Sequence, residues 1–154
     1  SLLVKIVIPR NVWLSMVSSI LDVYRKEALG YLVGERQGQT LRAAYISTTQ
    51  RTKKRTTHEA EERADTYSLV LQVAQMAGMS LLGDFHSHPE SHGFKYSCAP
   101  SRSDVASLRQ EPLGWVSLVV SISGHPPDRL ELTWGCWRIN SKNALVRVPG
   151  KVLG

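Results

Sequence analysis

Apolar residues alternate with other residues from Leu3 to Ile8, and Pro9 ends this stretch, which predicts a first β-strand. After it, apolar side chains recur at every third or fourth position, which predicts an amphipathic helix. They are Trp13, Met16, Val17, Ile20, Leu21 and Tyr24. A strand followed by a helix is therefore expected at the start of the fold.

The next part of the sequence predicts two paired strands and a second helix. The segments Ala28 to Val33 and Leu41 to Thr48 are rich in β-forming residues, and Gly34 to Thr40 between them carries two glycines that suit a hairpin connection. Thr56, followed by a glutamate three residues later, is typical of a capping box. A helix is therefore expected from Thr56 to about Gly78.

The second half of the chain predicts further alternating elements. Ser80 to His86 is a short apolar stretch before Pro89, which is typical of a buried strand whose last residues reach a cleft. A short helix is expected at Ser101 to Gln110, with strands at Trp115 to Ser123, Leu130 to Ile139 and Ala144 to Val148. Helices and strands interleave, so we predict an α/β (α+β) fold with a mixed sheet flanked by helices.

The composition indicates one soluble domain. The chain of 154 residues, 42% hydrophobic and 21% charged, suffices for one core, so a single domain over residues 1–154 is expected. No apolar run is long enough to span a bilayer, and the first residues resemble a strand more than a signal peptide. Only Cys98 and Cys136 are present, which predicts no disulfide framework and favours a reducing cytoplasm.

The charge gives a weaker indication of partners. The formal net charge is +6, and part of the excess lies in a basic stretch containing Arg51, Lys53, Lys54 and Arg55. Such a run is most often a solvated loop, and no nucleic-acid motif accompanies it. We therefore expect an acidic protein partner, with neither nucleic acid nor membrane as a target.

Two histidines at a predicted strand end are the main chemical feature of the sequence. In the segment GDFHSHP, His86 and His88 are two residues apart, so on a strand their side chains point to the same face. Both imidazoles can then bind one metal ion. Two surface histidines without a function would give the same short pattern, so other residues have to decide between these readings.

Asp104 supplies a candidate third ligand. It lies in the segment PSRSD, and two histidines with one carboxylate match the three protein ligands of a catalytic zinc site. Ser101 and Asp104 also have the spacing of a helix-capping box, which needs no metal. Taken alone, this segment favours the structural interpretation.

Taken together, three motifs resemble those of the JAMM (MPN-plus) zinc metalloprotease family, in its prokaryotic form. They are a glutamate in EALG beginning at Glu27, then HSHP, then PSRSD. The order of predicted elements agrees with the family over nearly the whole chain. The resemblance implies an MPN/JAB domain with cytidine-deaminase-like architecture, Zn²⁺ held by His86, His88 and Asp104, and catalysis by Glu27 and Ser101.

The implied chemistry is hydrolysis of an amide or isopeptide bond at the C-terminus of ubiquitin or of a ubiquitin-like or sulfur-carrier protein. Zinc lowers the pKa of water and polarises a carbonyl. The Glu27 carboxylate would take the proton of the water and return it to the departing amine. Ser101 would donate a hydrogen bond to the oxygen that becomes negatively charged.

The chain departs from the family pattern at two places. Fifteen residues separate His88 from Asp104, which is longer than the usual spacing, and the added loop contains His92 and Cys98. Either side chain can ligate zinc and block its open position, although ordinary loop residues are the simpler expectation. Asp84 replaces a residue that is usually bulky and apolar, so we expect it to face solvent or to support a metal ligand.

Two other functions remain open from the sequence. A non-catalytic MPN scaffold would bind partner proteins through its helices without stoichiometric zinc. A different metal hydrolase with HxH after a strand would be expected in a barrel of about 250 residues, which exceeds this chain. His58 and His125 lack ligand spacing, and the tryptophans of the predicted strands are expected to pack in or beside the core.

Overall fold

The computed structural model describes residues 4–49, 57–89 and 97–154, without the side chains of residues 49 and 57–64. The elements in chain order are β1 (Lys5–Ile8), α1 (Arg10–Asp22), β2 (Leu29–Gln37), β3 (Thr40–Thr49), α2 (Thr57–Met76), β4 (Ser80–His88), α3 (Arg102–Leu108), β5 (Val116–Ser123), β6 (Glu131–Ile139), β7 (Leu145–Val148) and β8 (Gly150–Val152). The predicted mixed α/β architecture is confirmed.

The described strands form one curled mixed sheet in the order β7-β6-β5-β4-β2-β3-β1-β8. β4 pairs with β5 in parallel, and β2 pairs with both β3 and β4 antiparallel. Only Pro149 separates β7 from β8, although these strands stand at opposite ends of the order. The two edges must therefore lie close together, so the sheet curls towards a barrel.

The core divides into two apolar clusters, one on each face of the sheet. Met16 and Ile20 of α1 pack with Leu32 of β2 in the larger cluster. Val33, the next residue of β2, packs instead with Ala74 of α2 in the smaller cluster, which also contains Leu108 of α3. Because neighbouring strand residues face opposite sides, α1 covers one face and α2 and α3 cover the other.

A β-bulge in β4 determines which residues face α3. Leu32 pairs with Gly83 and Val33 pairs with Leu81, so Leu82 has no counterpart in β2. Leu82 and Phe85 consequently both point into the larger cluster, which a regular strand would not allow. The bulge thus directs Asp84 and the two histidines that follow it to the opposite face.

Most predicted elements are present with shifted ends. The histidine strand continues through His88 instead of ending at His86, and β2 continues to Gln37, so the hairpin turn is only Gly38 and Gln39. Gly34 was expected in that turn but lies within β2, beside a register shift. Strand β8 was not predicted. No helix in the described part of the chain is long and apolar enough to cross a membrane.

Candidate metal centre

The two histidines and the aspartate meet where β4 ends beside α3. His86 and His88 occupy alternate positions of β4, as predicted, and Asp104 lies in the first turn of α3. All three residues are buried, with 4%, 6% and 7% of their surfaces exposed. Their ligand atoms lie within 4.8 Å of one another, so the group can hold a metal ion.

The two imidazoles approach the same carboxylate oxygen. Nε2 of His86 lies 3.1 Å from Oδ2 of Asp104, and Nε2 of His88 lies 3.2 Å from the same atom. Tetrahedral zinc with bonds of about 2.0–2.1 Å places its ligand atoms roughly 3.3 Å apart. The observed separations agree with that value.

The hydrogen bond at the other ring nitrogen of His88 fixes the role of its Nε2. Nδ1 lies 2.9 Å from the backbone oxygen of Ser97, and a carbonyl oxygen only accepts hydrogen bonds, so Nδ1 is the donor. In the uncharged tautomer with its proton on Nδ1, Nε2 presents a lone pair to an oxygen that also carries lone pairs. A cation between these two atoms is needed to make the contact favourable, and a proton or a metal ion can serve.

His86 has a strongly perturbed pKa. Burial lowers the pKa of its imidazole, but interactions with the carboxylates of Asp104 and Asp84 outweigh burial and raise it to about 9. Without metal, this ring therefore holds a proton at neutral pH. Because ligation needs the nitrogen lone pair, a metal ion has to displace that proton.

Ser101 and Asp104 also form the helix cap that the sequence offered as the alternative interpretation. The Ser101 hydroxyl accepts a hydrogen bond of 3.2 Å from the backbone N–H of Asp104. Oδ2 of Asp104 accepts one of 2.9 Å from the backbone N–H of Ser101. The cap and the candidate metal site share one carboxylate, so the two interpretations are compatible, and the cap fixes the orientation of the Asp104 carboxylate.

Glu27 lies beside the histidine pair, although it is 59 residues away from His86 in the sequence. Its Oε1 is 3.9 Å from Nε2 of His88, and 39% of its side chain is exposed. This separation leaves the carboxylate within reach of a water molecule that also touches the metal position. The predicted convergence of Glu27 with the ligands is therefore present in the structure.

Comparison with known proteins identifies the fold family. The family of prokaryotic homologs of the JAB domain matches residues 9–139, which is most of the chain. This chain belongs to the prokaryotic JAB family. No curated protein shows significant sequence similarity to it.

Several solved structures share this JAB fold. Protein DSY2949 from Desulfitobacterium hafniense has a TM-score of 0.65 and 18% identity over 97% of this chain and 93% of its own. A protein from Salinibacter ruber has a TM-score of 0.59 and 20% identity, over 92% and 86% of the two chains. AF2198, a JAB1/MPN domain protein from Archaeoglobus fulgidus, has a TM-score of 0.53 and 16% identity, over 98% and 100%.

The enlarged loop of this JAB domain contacts the site through its last residues. Ser97 accepts the hydrogen bond from His88, and the backbone oxygen of Cys98 accepts one of 2.9 Å from Nε1 of Trp137. Cys98 is not part of the group whose ligand atoms converge. His92 and the basic stretch from Arg51 to Arg55 lie outside the described residues, as does the side chain of His58.

Three contributors to the site were not assigned from the sequence. Ser97 acts through its backbone, for which the sequence carries no signal. Ser87 lies between the two histidines and was assigned no role from the sequence. It is fully buried, and its hydroxyl accepts a hydrogen bond from the backbone N–H of Ala28. Trp137 was expected as packing, and its half-buried ring also donates to the loop. His125, which lacks the spacing of a ligand, is exposed.

Proposed function

We propose that the chain is a zinc-dependent hydrolase that cleaves amide or isopeptide bonds at the C-terminus of ubiquitin or a ubiquitin-like modifier. The observation that carries this proposal is the buried group of His86, His88 and Asp104 with the Glu27 carboxylate 3.9 Å from a ligand nitrogen. Two imidazoles and a carboxylate are the donor set of many catalytic zinc sites. Membership of the JAB family supports the same assignment.

His86, His88 and Asp104 would hold the zinc, which lowers the pKa of water and polarises a substrate carbonyl. Glu27 then acts as the general base, because its half-exposed carboxylate can take a proton at Oε1 and pass it to the leaving nitrogen. An amide nitrogen leaves poorly unless it is protonated, so this second transfer matters as much as the first.

Ser101 is proposed to stabilise the oxygen that becomes negative during the reaction. Its oxygen accepts the capping bond from Asp104, which leaves the hydroxyl hydrogen available to donate. The residue is exposed at the start of α3 and its Oγ lies 3.2 Å from Oγ of Ser103. A substrate oxygen can replace this neighbour as the acceptor.

The proposed substrate is a small ubiquitin-like or sulfur-carrier protein whose flexible C-terminal tail enters the site. The net charge of +6 favours an acidic protein by electrostatic steering. The two cysteines are free, which fits a reducing cytoplasm. Contact with substrate is proposed for residues 49–57 and 90–99, because both stretches are polar. The second of them joins β4 to α3, the elements that carry His86, His88 and Asp104.

Zinc content and hydrolysis of ubiquitin-like fusions and ubiquitin chains test this proposal together. Wild type should bind one zinc per chain and cleave the fusion, His86→Ala should lose both, and Glu27→Gln should keep the zinc and lose at least about 10²-fold in kcat. Glu35→Gln, an exposed glutamate of β2, is the matched control and should retain both. A wild-type protein without stoichiometric zinc, or an active Glu27→Gln, would refute the assignment and favour the scaffold.

A further inference from the structure

Asp84 carries a carboxylate on the same face of β4 as the two histidines. It is the only charged residue between Ser80 and the histidine pair, in a stretch that is otherwise apolar from Leu81 onwards, and 29% of its side chain is exposed. The bulge at Leu82 turns Asp84 away from the larger core and towards α3. Its position two residues before His86 therefore makes it the strand neighbour of the first candidate ligand.

Two neutral donors fix the Asp84 carboxylate. Nε1 of Trp115 donates to Oδ2 over 2.7 Å, and the hydroxyl of Ser117 donates to Oδ1 over 2.6 Å. Ser117 is the residue paired with Asp84 across the parallel strands β4 and β5. Both donors are uncharged groups, and together they hold the carboxylate in one orientation.

The fixed carboxylate of Asp84 lies on the Nδ1 side of the His86 ring. Oδ1 of Asp84 lies 3.8 Å from Nδ1 of His86, while Nε2 of the same ring faces Asp104. The 3.8 Å contact is longer than a hydrogen bond, but a carboxylate there favours the tautomer with its proton on Nδ1. That tautomer leaves the Nε2 lone pair available for the metal.

His88 provides the comparison within the same site. Its Nδ1 donates to the backbone oxygen of Ser97, and its Nε2 also faces Asp104. In each ring, an acceptor oxygen therefore lies on the Nδ1 side, and the shared Asp104 carboxylate lies on the Nε2 side. Histidines that ligate metals have this arrangement almost always, and the outer acceptor sets both the tautomer and the orientation of the ring.

We infer that Asp84 is a positioning residue for the metal ligand His86, with its carboxylate held by Trp115 and Ser117 so that Nε2 of the ring is directed at zinc. This inference rests on the proposed zinc site. It concerns metal affinity and ligand geometry, and Asp84 takes no part in proton transfer to substrate.

The test is the zinc affinity of Asp84→Asn, measured by competition with a chromophoric chelator, together with the visible absorption spectrum of the cobalt(II)-substituted protein. Asparagine keeps the size and one oxygen acceptor but removes the charge. We expect zinc affinity to fall about 10- to 100-fold, as for other outer acceptors of ligating histidines, and the cobalt spectrum to shift. A purely structural role would lower the unfolding midpoint and leave both readouts unchanged.

Glu111→Gln is the matched control, because Glu111 interacts electrostatically with Asp84 but has no contact with the ligands among the described hydrogen bonds and ion pairs. It should bind zinc within about twofold of wild type, because the substitution leaves the Asp84 carboxylate and its two hydrogen bonds in place. Equal losses in both variants, or a wild-type affinity in Asp84→Asn, would overturn the inference alone. A wild type that binds no zinc would overturn the proposed function and the inference together.

Discussion

Ser87 links the histidine strand to the segment that carries Glu27. Its hydroxyl accepts a hydrogen bond of 2.9 Å from the backbone N–H of Ala28, and its own backbone N–H donates to the Ala28 oxygen over 3.2 Å. Ser87 is fully buried and Ala28 is 8% exposed, so water cannot readily replace the hydroxyl. Glu27, the proposed general base, directly precedes Ala28.

The substitution Ser87→Ala removes one of these two bonds. The Ala28 N–H is then buried without an acceptor, which costs about 1–3 kcal/mol of unfolding free energy. Only the backbone bond from Ser87 then remains, and it holds Ala28 less firmly than the two bonds together. The Glu27 carboxylate should therefore move relative to Nε2 of His88. A displacement of about 1 Å in a catalytic group costs on the order of 10²-fold in rate.

We expect Ser87→Ala to lower both the denaturation midpoint and kcat, while zinc affinity stays within a few-fold because His86, His88 and Asp104 are unchanged. Urea denaturation, fusion-protein hydrolysis and zinc titration measure the three quantities. Ser123→Ala is the matched control, since Ser123 is a buried serine whose bond to the half-exposed Glu131 is 3.5 Å long. An unfolding free energy for Ser87→Ala equal to that of wild type would refute the reasoning.

Two further predictions test the fold. Gly83→Ala should lower the free energy of unfolding by about 3 kcal/mol or more, because an added Cβ would overlap the backbone oxygen of Val116. Gly154→Ala is the control, since a Cβ there meets open space, and it should leave the urea midpoint unchanged. Cys136 is fully buried, and its burial together with the nearby charge of Asp84 raises the pKa of its thiol to about 12. A thiol reagent should therefore modify Cys98 in the native protein, and Cys136 only after unfolding.

Apart from β8, the elements and their order were predictable because each carries a local sequence pattern. The α1 pattern continues to Tyr24, and this residue still packs against the larger cluster although the helix ends at Asp22, because a helix end is defined only to within one or two residues. The β4 bulge had no signal in the sequence. It arises from pairing with β2, and it decides the face on which the histidines lie.

The candidate ligands were visible in the sequence as parts of the HSHP and PSRSD motifs, whereas the groups that orient them were not. The backbone oxygen of Ser97 serves His88 irrespective of the side chain at position 97, so residue types carry no information about this contact. Asp84 was visible as a charge in an apolar strand, but its partners Trp115 and Ser117 lie some thirty residues later and required the parallel pairing of β4 with β5.

The helix cap accounts for Asp104 but not for the two buried rings in front of it. In β5, the residue paired with His86 is Val119, which is fully buried and apolar, as expected for a strand that only fills the core. Burial of imidazole costs free energy unless its polar atoms are satisfied. A proton can satisfy one Nε2 facing Asp104, whereas a single divalent ion satisfies both nitrogens and the shared oxygen. The geometry of the buried group therefore favours a metal site over a scaffold that merely retains the family's residues.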